Sequence, residues 1–176
     1  MAVIERVRLR EPGLLRLEPG TERYRVRGGG ATALTLSGGD RITITDLEGC
    51  QRCELVVFSR EGREDAAALG ARADGHAEGL AAVLSGKRED DQAVIAALKR
   101  FGINAQDVRA VQLFGGQTRP GDHQAFTAER EVVCVAVAPG GPMSADEQDP
   151  PTDLMVVVNR AVVAKSAEIP MPPAAG

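Results

Sequence analysis

The stretch DRITITDLEGCQRCELVVFS, Asp40 to Ser59, decides the fold. Ile42 and Ile44 alternate with Thr43 and Thr45, the period-2 signature of a strand with one buried face. Cys53 to Phe58 is nearly all apolar and reads as a strand covered on both faces. Asp46, Glu48 and Gly49 between them are turn residues, so the stretch is expected to form a β-hairpin whose tip carries Asp46, Gln51, Glu54 and two cysteines.

Upstream, Val3–Leu9, Leu14–Leu17, Tyr24–Arg27 and Ala31–Leu36 read as further short strands. They are separated by Glu11-Pro12-Gly13, Glu18-Pro19-Gly20, Gly28-Gly29-Gly30 and Ser37–Asp40. In the Pro-Gly pairs, proline presets φ and glycine accepts the positive φ after it. The glycine run lacks the Lys-Ser/Thr of a phosphate loop and the G-x-G-x-x-G spacing of a dinucleotide site, and reads as a hairpin loop.

Downstream of Arg60-Glu61-Gly62 the texture changes. Glu64–Ala73 and Gly75–Leu84 are Ala-rich and predict one or two short helices, weakened by Gly70, Gly75 and Gly79. A clearer helix is expected from about Glu89 to Phe101, with acids at its start, Val94, Leu98 and Phe101 on one stripe, Lys99 and Arg100 in its last turn and Gly102 as its cap. Strand signals return at Val108–Phe114, at Glu131–Ala138, whose VVCVAVA is apolar on both alternating sets and central, and at Leu154–Val158. Gly115–Asp122 and Pro139–Thr152 are loops between them. The expected fold is α+β: a mainly antiparallel β-sandwich or barrel, with two or three helices inserted between the central hairpin and the C-terminal strands. The expected organisation is one β-rich domain over residues 1–166 and a Pro/Ala-rich linker or tail over residues 167–176.

Composition narrows the function. Apolar residues at 43% and charged residues at 26% are ordinary for a globular domain, so disorder and a membrane class are not indicated. Aromatics at 3% leave few rings on which bases or sugars could stack. A formal charge of −4 with interleaved signs offers no electropositive stripe, so nucleic acid is not an expected partner. A charged N-terminus without an apolar core, no long apolar run and an odd count of 3 Cys point to a cytoplasmic protein without a disulfide framework.

Cys50 and Cys53 form a C-x-x-C which, with Cys134 and either His76 or His123, could supply a metal set. A second close ligand pair is missing, and Cys134 sits mid-strand in an apolar run, so the residues favour no metal, with Cys50, Cys53 and Cys134 as the runner-up set. A thioredoxin-type pair would open a helix, whereas this one precedes a β run. No G-x-S-x-G occurs, and His76 and His123 lie in polar, glycine-bearing segments expected to be exposed. Asp46 and Glu54 could pair as carboxylates, cap a turn or meet Arg52.

The text D-x-E-G-x-Q-x-x-E-L, at Asp46, Glu48, Gly49, Gln51, Glu54 and Leu55, resembles the D-x-x-G-x-Q-x-x-D-hydrophobic core of the urea carboxylase-associated family, and P-P-T-D-L-x-V from Pro150 to Val156 resembles that family's ending. The opening from Val7 to Tyr24 is similar to the start of long bacterial aminomethyltransferase-type proteins, the trimethylamine N-oxide demethylases among them. The resemblance implies that such a module sits N-terminal to a metal-bearing module and a tetrahydrofolate-binding region. It implies cleavage of trimethylamine N-oxide to dimethylamine and formaldehyde by the whole protein, with formaldehyde passed to tetrahydrofolate. Metal-binding family members use three Cys and one His in a C-x-x-H-D-like cluster; no Cys-x-x-His occurs here, and Glu54 replaces the usual Asp. For this chain the resemblance therefore implies a scaffold and assembly domain with no active site or cofactor of its own, zinc or iron and tetrahydrofolate being held in other domains. Asp46, Gln51 and Glu54 are then structural or interface residues, and the expected partners are the C-terminal metal-binding and folate-binding regions or subunits in a homo-oligomer, with no membrane. The alternatives are a stand-alone metal-dependent enzyme on an amidine or urea-like substrate, and a separate assembly subunit.

Overall fold

The computed structural model describes residues 18–161 apart from 142 and 147; the strands expected at Val3–Leu9 and Leu14–Leu17 and the tail at 167–176 lie outside the described residues. In chain order the strands are β1 (Thr21–Val26), β2 (Ala31–Leu36), β3 (Arg41–Asp46), β4 (Cys53–Ser59), β5 (Gly75–His76), β6 (Arg109–Leu113), β7 (His123–Thr127), β8 (Val132–Val137) and β9 (Leu154–Asn159). They form a four-stranded sheet in the order β1-β9-β3-β7 and a five-stranded sheet in the order β2-β8-β4-β6-β5, with every pairing antiparallel. The two sheets face each other as a sandwich, with no closed barrel.

Val26, Leu36, Ile42, Ile44, Leu55, Val132 and Val156 fill the space between the sheets. A second core lies outside the five-stranded sheet, where Val56, Phe58, Val133 and Val135 meet Leu80 and Val83 of α1 (Glu78–Leu84) and Val94 and Leu98 of α2 (Asp91–Arg100). Strands β4 and β8 are therefore buried on both faces, which is why both read as continuous apolar runs.

Asp40–Ser59 is not the hairpin that its turn residues suggest. Strand β3 pairs with β7 and β9, while β4 pairs with β6 and β8, so the link between them is an arch from one sheet to the other. Covering decides this outcome. Strand β3 buries one face, whereas β4 buries two, and only the sheet that carries the helices can cover the second. Gly28-Gly29-Gly30 is likewise a crossing between sheets and not a hairpin loop, since β1 pairs with β9 and β2 with β8. A Cβ on Gly28 would lie 2.3 Å from the Pro151 carbonyl oxygen, so only glycine allows that close approach.

The Ala-rich segment shortens to a 3-10 turn at Ala66–Leu69 and to α1, with β5 between them. Helix α2 ends in a Schellman motif: Ile103 N–H donates to Leu98 O and Gly102 N–H to Lys99 O, with Gly102 at φ 66°. Ile103 packs into the core beside Leu98, and Phe101, expected on the buried stripe, is left 38% exposed. Strand β7, HQAFT, has no sequence signal because it is an exposed sheet edge with little to bury.

Among the described residues, the helices lie on the five-stranded sheet and none covers the outer face of the four-stranded sheet. Register places Thr21-Asn159-Arg41-Thr127, Arg23-Val157-Thr43-Ala125 and Arg25-Met155-Thr45-His123 in three cross-strand rows on it, and none of these residues carries a carboxylate.

Arg160, just past β9, ties three strands together. Its Nε and Nη2 donate to Glu22, each at 2.9 Å, and its Nη1 donates to Asp40 at 2.8 Å and to the Thr35 carbonyl at 2.7 Å. Burial alone would raise the Asp40 carboxyl, but N–H groups of Ala161 and Ser37 and the Arg160 guanidinium outweigh it and hold the pKa below the ordinary value. Glu22 is lowered by Arg160 and by the Tyr24 hydroxyl. Both groups titrate lower folded than unfolded, so their stabilisation is complete above about pH 5 and is lost as pH falls through the folded values. Urea midpoints measured between pH 6 and pH 3 are expected to fall with pH, and the Asp40→Asn variant is expected to show the shallower fall.

Candidate functional site

The arch from Asp46 to Glu54 concentrates the buried polar groups of the fold. Asp46 is fully buried at the end of β3. Its Oδ1 accepts the Gly49 N–H at 2.9 Å, and its Oδ2 accepts the Gln51 N–H at 3.1 Å and the Thr118 hydroxyl at 2.8 Å. Its backbone bonds Gly121 and Asp122, so the loop at 115–122 is clasped to the arch. Gly49 turns at φ 88° and Cys50 at φ 59°, and the Cys50 N–H reaches the Thr118 carbonyl at 3.0 Å.

Gln51 uses its whole amide. Its Nε2 donates to the carbonyls of Arg52 at 2.7 Å and Pro139 at 2.9 Å, and its Oε1 accepts the Thr152 N–H at 2.6 Å. The loop at 139–152 is thereby held at both ends. Glu54 points from β4 to the helix side, where its two oxygens accept the N–H groups of Gly79 at 3.0 Å and Leu80 at 3.1 Å. That arrangement caps α1, whose Ala77 offers no capping side chain. A Cβ on Gly79 would meet Pro139 Cβ at 2.8 Å and Glu54 Oε2 at 3.0 Å.

The structure does not bring Asp46 and Glu54 together as a carboxylate pair, nor either of them to Arg52; each is spent on backbone N–H groups of a different segment. Thr152, the partner of Gln51, lies in the P-P-T-D-L-x-V text, whereas Thr118 and Gly79, the partners of Asp46 and Glu54, belong to no motif in the sequence. Of those two, Gly79 left a signal, as a glycine inside an Ala-rich helix that marks a close backbone approach.

The thiols and imidazoles stay apart. Cys53 and Cys134 are buried between the sheets, where desolvation raises both thiols, Cys134 to about 12. Cys50 is exposed on the arch. His76 lies exposed on β5, 3.8 Å from Asp107, and His123 lies exposed on β7 with Nδ1 3.2 Å from the Gly121 carbonyl. Among the described residues no three His, Cys, Asp or Glu gather as a metal would require. Among the described residues no helix is long and apolar enough to cross a membrane.

No family model matches the chain. Over 162 residues, 92% of its length, it is 40% identical to the trimethylamine-oxide aldolase of Ruegeria pomeroyi (strain ATCC 700808 / DSM 15171 / DSS-3). It spans only 20% of the length of that relative. The crystal structure of a DUF1989 family protein from Silicibacter pomeroyi DSS-3 superposes with a TM-score of 0.53 at 14% identity, covering 89% of this chain and 85% of that one, which shows a common fold.

Glu54→Gln keeps the shape but turns an NH2 group toward a backbone N–H. It is expected to cost about 1–3 kcal/mol in urea unfolding, with loss of hydrogen-exchange protection confined first to Gly79 and Leu80.

Proposed function

We propose that the chain is a non-catalytic scaffold and assembly domain of a trimethylamine N-oxide aldolase-like enzyme. In this reading the whole enzyme cleaves trimethylamine N-oxide to dimethylamine and formaldehyde and passes formaldehyde to tetrahydrofolate. The metal and folate sites belong to other regions, and residues 1–166 form one domain that positions them. The observation that carries the reading is the hydrogen bonding of Asp46, Gln51 and Glu54: each is taken up by groups of this chain, so the arch presents no acid, base or ligand to a substrate. The relation to one-fifth of a much longer aldolase supports it.

The outer face of the four-stranded sheet, which no described helix covers, supplies the packing surface in this proposal. It carries Arg23, Arg25 and Arg41 around Val157, Met155 and Thr43, in a chain whose formal charge is −4. Arg25 is paired with Asp153, while Arg23 and Arg41 make no ion pair with any described residue. A face with an apolar centre, guanidinium groups at its margin and no carboxylate complements an acidic surface. In this proposal the occupant is a carboxylate-bearing surface of the remainder of the larger enzyme.

The test is a chimera in which this chain replaces the matched segment of the Ruegeria pomeroyi enzyme. It is expected to assemble and release formaldehyde, and Arg23→Glu/Arg41→Glu is expected to abolish assembly on size exclusion while leaving the melting temperature of the isolated chain within a few degrees. Formaldehyde release by the isolated chain, or a double reversal that assembles and turns over like its parent, would sink the reading.

A further inference from the structure

We infer that a cleft of about 240 Å³ between the start of α2 and the Gly28–Gly30 crossing binds a small zwitterion, its ammonium on Asp91 and its anionic group on Arg88. Among the described residues five polar side chains are buried, and four of them, Asp40, Asp46, Gln51 and Glu54, are hydrogen-bonded within the chain. Asp91 is the exception. It is 3% exposed, yet its carboxylate makes no hydrogen bond or ion pair with any described residue.

None of the fully buried side-chain oxygens lacks a partner, so the residual exposure of Asp91 is to the cleft that it lines. The first turn of α2 does not relieve it, because the N–H groups of Asp91 and Gln92 already donate to the carbonyls of Arg88 and Glu89. A carboxylate withdrawn from bulk water and given no donor by its own chain is a binding group for one that arrives from outside.

The arginines that line the same cleft supply the other charge. Arg25 is engaged by Asp153 at 2.6 Å, and Arg27 is 3.9 Å from Asp90 with both side chains exposed. Arg88 donates through Nη1 to the Gly28 carbonyl at 3.2 Å and has no carboxylate within ion-pair distance among the described residues. A bare cation in the cleft would meet Arg27 and Arg88, and a bare anion would meet Asp90 and Asp91. A molecule of amino-acid size with N–H donors at one end and a carboxylate at the other satisfies both signs of charge. Binding at this cleft stands apart from the scaffold role, since it needs neither a larger enzyme nor the outer sheet face.

Amide shifts of the 15N-labelled chain provide the test, with glycine as probe and methylammonium chloride and sodium acetate as its two halves, all at one ionic strength. Glycine is expected to shift Gly30, Thr32, Arg88 and Asp91 saturably, with each half at least tenfold weaker. Asp91→Asn and Arg88→Gln should each weaken glycine at least tenfold and leave the remaining spectrum unchanged. If Asp91→Asn does not fold, Arg88→Gln decides, because that side chain holds only one backbone contact. Shifts that never saturate, acetate acting as well as glycine, or glycine binding unaltered in Arg88→Gln would overturn the proposal.

Discussion

A buried carboxylate or amide cannot exchange its hydrogen bonds for water, and this structure places three such groups on one short strip of chain. Asp46, Gln51 and Glu54 each reach a different remote segment: the loop at 115–122, the loop at 139–152 and the start of α1. Losing any one of those segments would leave a polar group unsatisfied in a region from which water is excluded. The arch therefore fixes the positions of loops that otherwise have little apolar surface with which to hold themselves. Hydrophobic burial makes the sandwich, and the arch decides which segments lie against its end.

The same economy bears on function. Side chains whose lone pairs and protons are consumed within the chain have none left for a substrate, and the buried thiols are held in the protonated form by desolvation. What the fold presents outward is a broad sheet face in arginine, threonine and aliphatic residues. Surfaces of this kind suit the docking of another folded body better than the grip of a small molecule. The cleft beside α2 has the opposite character, being small and lined with charge of both signs.

Strand identity was legible in the sequence where burial is complete. The VVCVAV of β8 and the CELVVF of β4 can only be strands covered on both sides, and Ala31–Leu36 matches β2 residue for residue. Pairing was not legible, because the turn residues at Asp46, Glu48 and Gly49 suit a reversal within a sheet and a crossing between sheets alike. The outcome was set by the need of β4 for cover on its second face, which no local pattern reports. At the arch, the sequence pointed to Asp46, Gln51 and Glu54 but could not assign their partners, since Thr118, Pro139, Thr152 and Gly79 lie far along the chain. Edge strands such as β7 carry almost no apolar pattern and stay invisible for the same reason.

Because successive strands cross between sheets, β1 to β4 find their partners, among the described residues, only in β6, β7, β8 and β9. Among the described residues, the first four strands have no strand to zip against until β6, at Arg109–Leu113, has been made. Nucleation cannot proceed by local hairpins, so the rate of folding is governed by long loop closures and by the late arrival of β8 and β9, the staples of the two sheets. A nascent chain of this topology keeps apolar strand faces exposed for much of its synthesis, the condition under which unpaired strands aggregate.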